Sequence, residues 1–134
     1  EEKCFVADSG GAGKHRGGLS QRLRVRKLSD DGFNLSVGVL PAGVDLAIPS
    51  MFEGRPGAPI SVTSSVASTV ADPGRSAWIL HTTEDFVEVI LAGGHGFGDP
   101  GSRARASIER DIENDCITIA GATMDYDFDA DQAG

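Results

Sequence analysis

The stretch that decides the fold lies near the start of the chain and reads Asp8-Ser9-Gly10-Gly11-Ala12-Gly13-Lys14-His15-Arg16-Gly17-Gly18. Five of its eleven residues are glycine, and two cations and an imidazole lie between them. Glycine adopts backbone conformations that are closed to other residues, and it lets a neighbouring chain or a ligand approach closely. This first glycine motif therefore either makes tight turns under a packed neighbour or lines a site.

A second glycine motif lies far downstream and reads Gly93-Gly94-His95-Gly96-Phe97-Gly98-Asp99-Pro100. The residues between the two motifs alternate between apolar and polar, which is typical of half-buried strands. Residues 21–28 and 33–39 show this alternation most clearly, and the turn residues 29–32 join them, which predicts a hairpin. We expect these strands to form a scaffold that holds the two motifs.

The rest of the chain completes a β-rich plan. Apolar runs favour further strands at residues 4–7, 77–83 and 86–92. Prolines and glycines predict a loop over Pro41–Pro59 and a turn at residues 72–75. The helical candidate is residues 102–114, with Ser102 as its N-cap and with an apolar residue at every fourth position, namely Ala104, Ile108 and Ile112.

The predicted fold class is mainly β, with antiparallel strands, long Gly/Pro-rich loops and one short C-terminal helix. A chain of 134 residues suits a single domain, residues 1–134, and its residues 125–134 are acidic and expected to form a loose tail. Parallel βα alternation is absent from the pattern, so a Rossmann-type sheet is not expected.

The charge pattern bounds the partners. The net charge of −8 argues against nucleic acid as the main partner, although Lys14 to Lys27 holds six of the 12 basic residues and no acid. The alternating arginines of that stretch favour a solvated strand face over a phosphate-binding or acid-binding surface. The chain shows neither a membrane-length apolar run nor a secretory signal, and its two cysteines suggest free thiols, so a cytoplasmic location is expected.

The residue types leave the chemistry open. The first motif lacks the spacing of a Walker-type phosphate loop, but its backbone amides together with Lys14 and Arg16 suit an anion. The three histidines, His15, His81 and His95, have no partner at metal-ligand spacing, so this chain alone is not expected to build a metal site. His81 suits a structural role, whereas His95, flanked by glycines, is the better candidate for an acid, a base or a hydrogen-bond donor.

Four stretches in the same order resemble the hydantoinase B family, which includes the C-terminal part of ATP-dependent 5-oxoprolinase. Residues 8–19 resemble its D-S-G-G-x-G-K-x-R-G-G-x-G signature, and residues 52–59 are similar to its F-G-G-x-P-G-A-P. Residues 92–100 match its G-G-G-G-x-G-D-P, and residues 110–115 resemble its R-D-V-x-x-G. The sequence departs from the family pattern at four positions, where Ala12 replaces proline, His15 an aromatic residue, and Ser20 and His95 replace glycine.

The resemblance implies that the chain corresponds to the C-terminal region of much longer proteins. As a separate chain it is similar to the small subunit of multi-subunit ketone carboxylases of the acetophenone carboxylase type. These are ATP-dependent and biotin-independent, use bicarbonate, and are built from large hydantoinase A-like and hydantoinase B-like subunits. ATP and Mg²⁺ or Mn²⁺ would then bind mainly to the other subunits, and whether a metal lies at an interface stays open.

The implied roles fall on the glycine motifs. Catalytic roles are expected for His95 and His15. Substrate or anion binding is expected for Gly10, Gly11, Gly13, Lys14, Arg16, Gly93, Gly94 and Gly96. Two alternatives stay open, namely a purely structural interaction subunit and a part of an ATP-dependent hydantoinase- or oxoprolinase-type amidohydrolase. Neither nucleic acid nor membrane is expected as a partner.

Overall fold

The structure, a computed structural model, describes residues 2–39, 51–70 and 76–131. The predicted turn at residues 72–75 and the first part of the predicted loop, residues 41–50, lie outside the described residues. The strands are β1 (Glu2–Val6), β2 (Ser20–Arg26), β3 (Leu35–Val39), β4 (Ser61–Ser64), β5 (Ser76–Leu80) and β6 (Phe86–Ile90). The helices are a 3-10 helix (Pro100–Ser102), α1 (Arg105–Glu113) and α2 (Ile119–Tyr126). A mainly β fold with helix near its C-terminal end is thus confirmed.

The described strands form two sheets. One sheet has the order β1-β2-β6-β4, in which β6 is antiparallel to both β2 and β4, and the other pairs β3 with β5. The predicted hairpin is therefore wrong: residues 21–28 and 33–39 do contain strands, but these strands pair with different partners. The pairing with β5 sets Val37 opposite Trp78, and Val37 packs on the buried cluster that contains that ring. Alternation shows which residues form strands, whereas distant packing decides how they pair.

The chain forms two compact units, and each is described by itself. The first consists of Glu1–Cys4, Arg22–Ala47 and Ile60–Ile90, and its core is Trp78, Leu80 and Val87. Two of the three arginines of β2, Arg22 and Arg24, have acidic or aromatic neighbours, and Arg26 is exposed, as expected of a solvated strand face. Arg22 donates to Glu2 at 3.2 Å, and the Arg24 guanidinium lies 4.0 Å above the Phe86 ring. Whether residues 1–134 act as one domain stays a prediction.

The second unit consists of Phe5–Gln21, Ile48–Pro59 and Leu91–Gly134, and it contains both glycine motifs and all the described helices. Its core joins the first motif to the two α-helices and consists of Ala12, Ile108, Ile117, Ala122, Tyr126 and Phe128. The acidic tail expected from Asp125 begins inside α2, and Phe128 within it is buried. Residues 132–134 of that tail lie outside the described part.

The helix boundaries differ from the prediction in two ways. Ala104, not Ser102, is the N-cap of α1, because Ser102 belongs to a 3-10 helix. There the Asp99 carboxylate accepts hydrogen bonds from the Gly101 amide and the Ser102 hydroxyl, both at 3.0 Å. Helix α2 was not predicted. It is short and carries an internal glycine, and its N-cap is Thr118, whose hydroxyl accepts the Gly121 amide at 2.9 Å.

Candidate functional site: a basic pocket beside the first glycine motif

The two glycine motifs lie against each other in the second unit. The Gly11 amide donates to the Gly94 carbonyl, and the Gly94 amide donates to the Gly18 carbonyl, both at 2.8 Å. His15 and Phe97 exchange backbone hydrogen bonds of 3.0 and 2.9 Å, which pairs the far ends of the motifs. The packed neighbour that the glycines predict is therefore another segment of this same chain.

A third segment, residues 51–59, joins the two motifs. The Arg55 amide donates to the Ala12 carbonyl at 2.7 Å, and the Gly96 amide donates to the Arg55 carbonyl at 2.9 Å. A matching pair at the other end links Ser9, Ala58 and Gly93 at 2.8 Å each. The three segments are therefore held together by backbone hydrogen bonds that need no particular side chain.

Close backbone approach explains why glycine stands at particular positions. A Cβ atom at Gly17 would overlap the carbonyl oxygen of Gly94, and one at Gly93 would overlap the carbonyl oxygen of Ser9. Among the glycines expected to bind an anion, Gly11, Gly93, Gly94 and Gly96 donate their amides to backbone carbonyls. Anion binding by these glycines stays a prediction, and the side chains nearby are the more available groups.

Those side chains surround a pocket of about 400 Å³ between the first glycine motif and the start of α1. It is lined by Lys14, His15, Arg16, Ser102, Arg103, Ala104, Ser107 and Arg110. The structure thus brings together three of the predicted site residues, Lys14, His15 and Arg16. The sequence analysis missed Arg103, Ser107 and Arg110, although their spacings of four and three, typical of one helix face, were the available signal.

One carboxylate holds two of the four cations at the pocket. Asp111 accepts from Arg16 Nε at 3.2 Å and from Arg103 Nη2 at 2.5 Å, and the three side chains are only 9–15% exposed. The two guanidiniums also donate to backbone carbonyls of the first glycine motif, Arg16 to Gly17 at 2.8 Å and Arg103 to Lys14 at 3.0 Å. The cluster therefore fixes the motif against α1 and keeps an excess positive charge.

The other two cations are not committed in this way. Lys14 and Arg110 are exposed, and within residues 2–39, 51–70 and 76–131 neither side chain forms an ion pair. An exposed ammonium and an exposed guanidinium at one pocket can both turn toward a bound anion. They are the residues best placed to bind a ligand rather than to hold the fold.

The histidines occupy three different environments. The exposed His15 ring lies 6.1 Å from the Phe97 ring, centroid to centroid, and borders the pocket. His95 is half-buried and is not among the lining residues, and its Nδ1 atom is buried without a hydrogen-bond partner in the described part of the chain. His81 follows β5, and its Nδ1 lies 3.1 Å from Asn34 Oδ1, which agrees with a structural role. Catalysis by His15 or His95 stays a prediction.

Other features bear on the expected classes of site. Among the described residues, no group of three or more His, Cys, Asp or Glu is arranged to hold a metal ion. No described helix has the length and apolar character needed to cross a lipid bilayer. Cys4 and Cys116 are free thiols. Burial raises the pKa of Tyr126, which lies below Arg103, and the positive charge of Arg103 opposes that rise.

Comparison with known proteins identifies the family of this chain. Residues 1–100 match the sequence model of the Hydantoinase B/oxoprolinase family. An uncharacterized protein of Methanocaldococcus jannaschii is 31% identical over 128 residues, which cover 93% of this chain and 22% of that protein. The chain therefore spans about a fifth of the length of that relative.

Two solved structures share the fold. Acetone carboxylase in its nucleotide-free state superposes with a TM-score of 0.57 at 18% identity, covering 92% of this chain and 20% of that one. The ATP-dependent caprolactamase of Pseudomonas jessenii superposes with a TM-score of 0.62 at 21% identity, covering 98% of this chain and 23% of that one. At these identities the likeness shows the fold, while the sequence match over residues 1–100 shows the family. The chain belongs to the Hydantoinase B/oxoprolinase family.

Proposed function

We propose that the chain is the small subunit of a multi-subunit, ATP-dependent, biotin-independent ketone carboxylase of the acetophenone carboxylase type. In this role it completes a hydantoinase B-like large subunit and its site. The observation that carries the proposal is the coverage: 92% of this chain superposes on 20% of acetone carboxylase. A chain that superposes on one part of such an enzyme would act together with the remaining parts, and as those partners we propose large hydantoinase A-like and hydantoinase B-like subunits, in the cytoplasm.

The proposal includes a division of roles between the subunits. ATP supplies the phosphoryl group that activates the substrates, one of which is bicarbonate. We expect the nucleotide and its Mg²⁺ or Mn²⁺ to be held mainly by the other subunits, as the resemblance to the family implies. This chain contributes positive charge from Lys14 and Arg16 near the phosphorylated or carboxylated reactant, where oriented cations stabilise developing negative charge.

The exposed residues of the pocket give the cleanest test. Arg16 pairs with Asp111, so its removal also disturbs the fold, whereas Lys14 and His15 are exposed. We expect Lys14→Ala in the purified assembly to lower kcat/KM for ketone- and bicarbonate-dependent ATP hydrolysis by about tenfold or more. His15→Ala and His95→Ala test the acid and base roles in the same assay. Arg26→Ala, which removes an exposed cation from β2, should leave the rate unchanged.

If Lys14→Ala, His15→Ala and His95→Ala all keep full turnover with the assembly intact, the chain is instead a structural interaction subunit without a catalytic role. The assembly itself is tested by co-purification of large subunits with the tagged chain. A monomer that turns over substrate without any large companion would refute the proposal.

A second candidate is a part of an ATP-dependent amidohydrolase of the hydantoinase or oxoprolinase type. The likeness to a caprolactamase over 98% of this chain favours it. The two candidates differ in their requirement for bicarbonate and in their product. Ring opening of a lactam or hydantoin with ATP and without bicarbonate would identify the amidohydrolase, whereas a carboxylated ketone formed only with bicarbonate would identify the carboxylase.

A further inference from the structure

The basic pocket carries more positive charge than its own carboxylate can balance. Four cationic side chains line it, Lys14, Arg16, Arg103 and Arg110, and Asp111 is the carboxylate that pairs with two of them. The chain as a whole has a net charge of −8, so this local excess runs against the overall balance. Such a concave cluster concentrates anions.

The start of α1 adds the positive end of a helix dipole to the same pocket. Ala104 is the N-cap of this nine-residue helix and, having no polar side chain, makes no capping hydrogen bond. The Ser107 amide donates to the Ala104 carbonyl at 2.9 Å, and the helix dipole places partial positive charge at this end of α1. Ala104 and Ser107 both line the pocket, so this end of the helix borders it.

A buried donor without a partner gives independent support. The Arg103 side chain is 9% exposed, and its Nε atom is buried with no hydrogen-bond partner in the described part of the chain. A buried donor left unpaired carries a desolvation cost, and Arg103 is one of the residues that line the pocket. The Ser107 hydroxyl supplies a further donor at the rim, whereas the Ser102 hydroxyl already donates to Asp99. The excess positive charge and the remaining donors of the pocket therefore suit a compact ligand rich in acceptor oxygens.

We propose that this pocket is a binding site for a phosphate group, either free phosphate or the phosphate of a small metabolite. Lys14 and Arg110 contact the oxygens directly, and the Arg16–Asp111–Arg103 cluster and the start of α1 provide the positive floor. A tetrahedral dianion matches several donors that converge from different directions better than a planar carboxylate does. The phosphate site deepens the proposed function. It rests on that function only for the role that the bound phosphate has in the reaction.

The test is therefore a binding measurement that requires no turnover. Inorganic phosphate is titrated into the full chain, together with any large subunits that co-purify, by isothermal titration calorimetry at constant ionic strength. We expect a saturable site with Kd of about 1 mM or tighter, weakened about tenfold or more in Lys14→Ala/Arg110→Ala. Arg26→Ala removes one exposed cation elsewhere and should change Kd by less than about twofold. Circular dichroism of each variant checks that the fold is retained.

Competing anions separate a phosphate site from general attraction. Sulfate has the same shape and charge and should displace phosphate, whereas chloride at equal ionic strength should not. Unchanged affinity in the double variant, or equal weakening in Arg26→Ala, would overturn the inference. Binding that occurs only after the large subunits are removed would also overturn it, because the pocket would then be a docking site for an acidic side chain of a partner.

Phosphate binding and the reaction can fail separately. Saturable phosphate binding in an assembly that proves to be an amidohydrolase would support this inference and contradict the carboxylase proposal. A carboxylase whose affinity for phosphate is unchanged in Lys14→Ala/Arg110→Ala would support the carboxylase proposal and contradict the phosphate site. Phosphate esters of increasing size, from methyl phosphate upward, then distinguish free phosphate from a metabolite as the ligand.

Discussion

Asp8 and Thr118 lie 110 residues apart in sequence, and one side chain joins them by two hydrogen bonds. The Asp8 carboxylate accepts the Thr118 backbone amide and the Thr118 hydroxyl, both at 2.8 Å. That hydroxyl also accepts the Gly121 amide and so caps α2. The first residue of the glycine motif therefore holds the amino end of a helix near the other end of the chain.

The first prediction concerns this link. Asp8→Ala should lower the free energy of unfolding by about 1–2 kcal/mol, because two hydrogen bonds to a charged group are lost at an exposed site. Asp8→Asn should recover part of the loss, since its amide oxygen still accepts the Thr118 amide and Asn tolerates the φ of 58° found here. Urea denaturation followed by circular dichroism measures both.

Asp115 provides a matched control for that prediction. It is an exposed aspartate with a similar φ of 54°, and its carboxylate makes no hydrogen bond within the described residues. Asp115→Ala should therefore cost much less than Asp8→Ala. Equal losses in the two variants would mean that the backbone conformation, and not the bonds to Thr118, explains the effect.

The second prediction concerns the carboxylate at the base of the pocket. Asp111→Ala should destabilise the fold by about 3–5 kcal/mol, because removing one partner of a buried ion pair leaves an uncompensated charge. Here two guanidiniums, Arg16 and Arg103, would lose their counter-charge together. The exposed pair of Arg55 and Asp125 is the control, and Asp125→Ala should cost less than about 1 kcal/mol. Similar losses in both variants would contradict a special role for Asp111.

The third prediction concerns backbone contact between the glycine motifs. Gly17→Ala should destabilise by about 2–3 kcal/mol, since its Cβ atom meets the backbone of Gly94, which cannot move aside cheaply. Gly18→Ala adds the same atom one residue later, where nothing lies within 4 Å, and should stay within about 0.5 kcal/mol of the parent protein. Thermal unfolding of the pair measures the difference. Equal tolerance at both positions would show that the motifs are not packed this closely.

Local pattern was enough to predict where strands occur but not how they pair. Apolar runs identified β5 and β6. Alternation of apolar and polar residues identified β2 and β3, because neighbouring residues of a strand point to opposite faces of the sheet. The pairing of β2 with β6 depends on residues 60 to 68 positions away, so adjacent strands were wrongly joined as a hairpin. Helix α2 was missed since eight residues with an internal glycine carry little periodic signal.

The candidate site was predictable to the same extent. Glycine and charge pointed to Lys14 and Arg16 directly, because both lie inside the motif. Their distant neighbours were not identified, since Asp111 contacts Arg16 across 95 residues of sequence. The resemblance had already marked residues 110–115 as a matching segment, but it assigned them no contact with the motif. The residues on each side of the pocket leave a local signal, but the contact between the two segments does not.

The last prediction follows from Tyr126, whose pKa is raised by burial and is therefore higher in the folded than in the unfolded chain. The stabilisation that accompanies this shift is fully present below about pH 10, the ordinary value for tyrosine, and is lost as the pH rises through the raised pKa. We expect the free energy of unfolding to fall above about pH 10 more steeply in the parent protein than in Tyr126→Phe, which keeps the ring.

Tyr126 is the single tyrosine of the chain, so the near-ultraviolet absorbance of its phenolate reports its titration directly in the folded protein. That titration should have its midpoint above the midpoint measured in denaturant. If the two midpoints coincide, or if the pH dependence of unfolding is the same with phenylalanine at this position, then burial against α1 and the first glycine motif does not control this phenol. In Asp111→Ala, which keeps Tyr126, Arg103 loses its carboxylate partner, and its positive charge then favours the phenolate more strongly. A titration midpoint of Tyr126 that is lower in this variant than in the parent protein would show that the cluster around Arg103 contributes to the pKa.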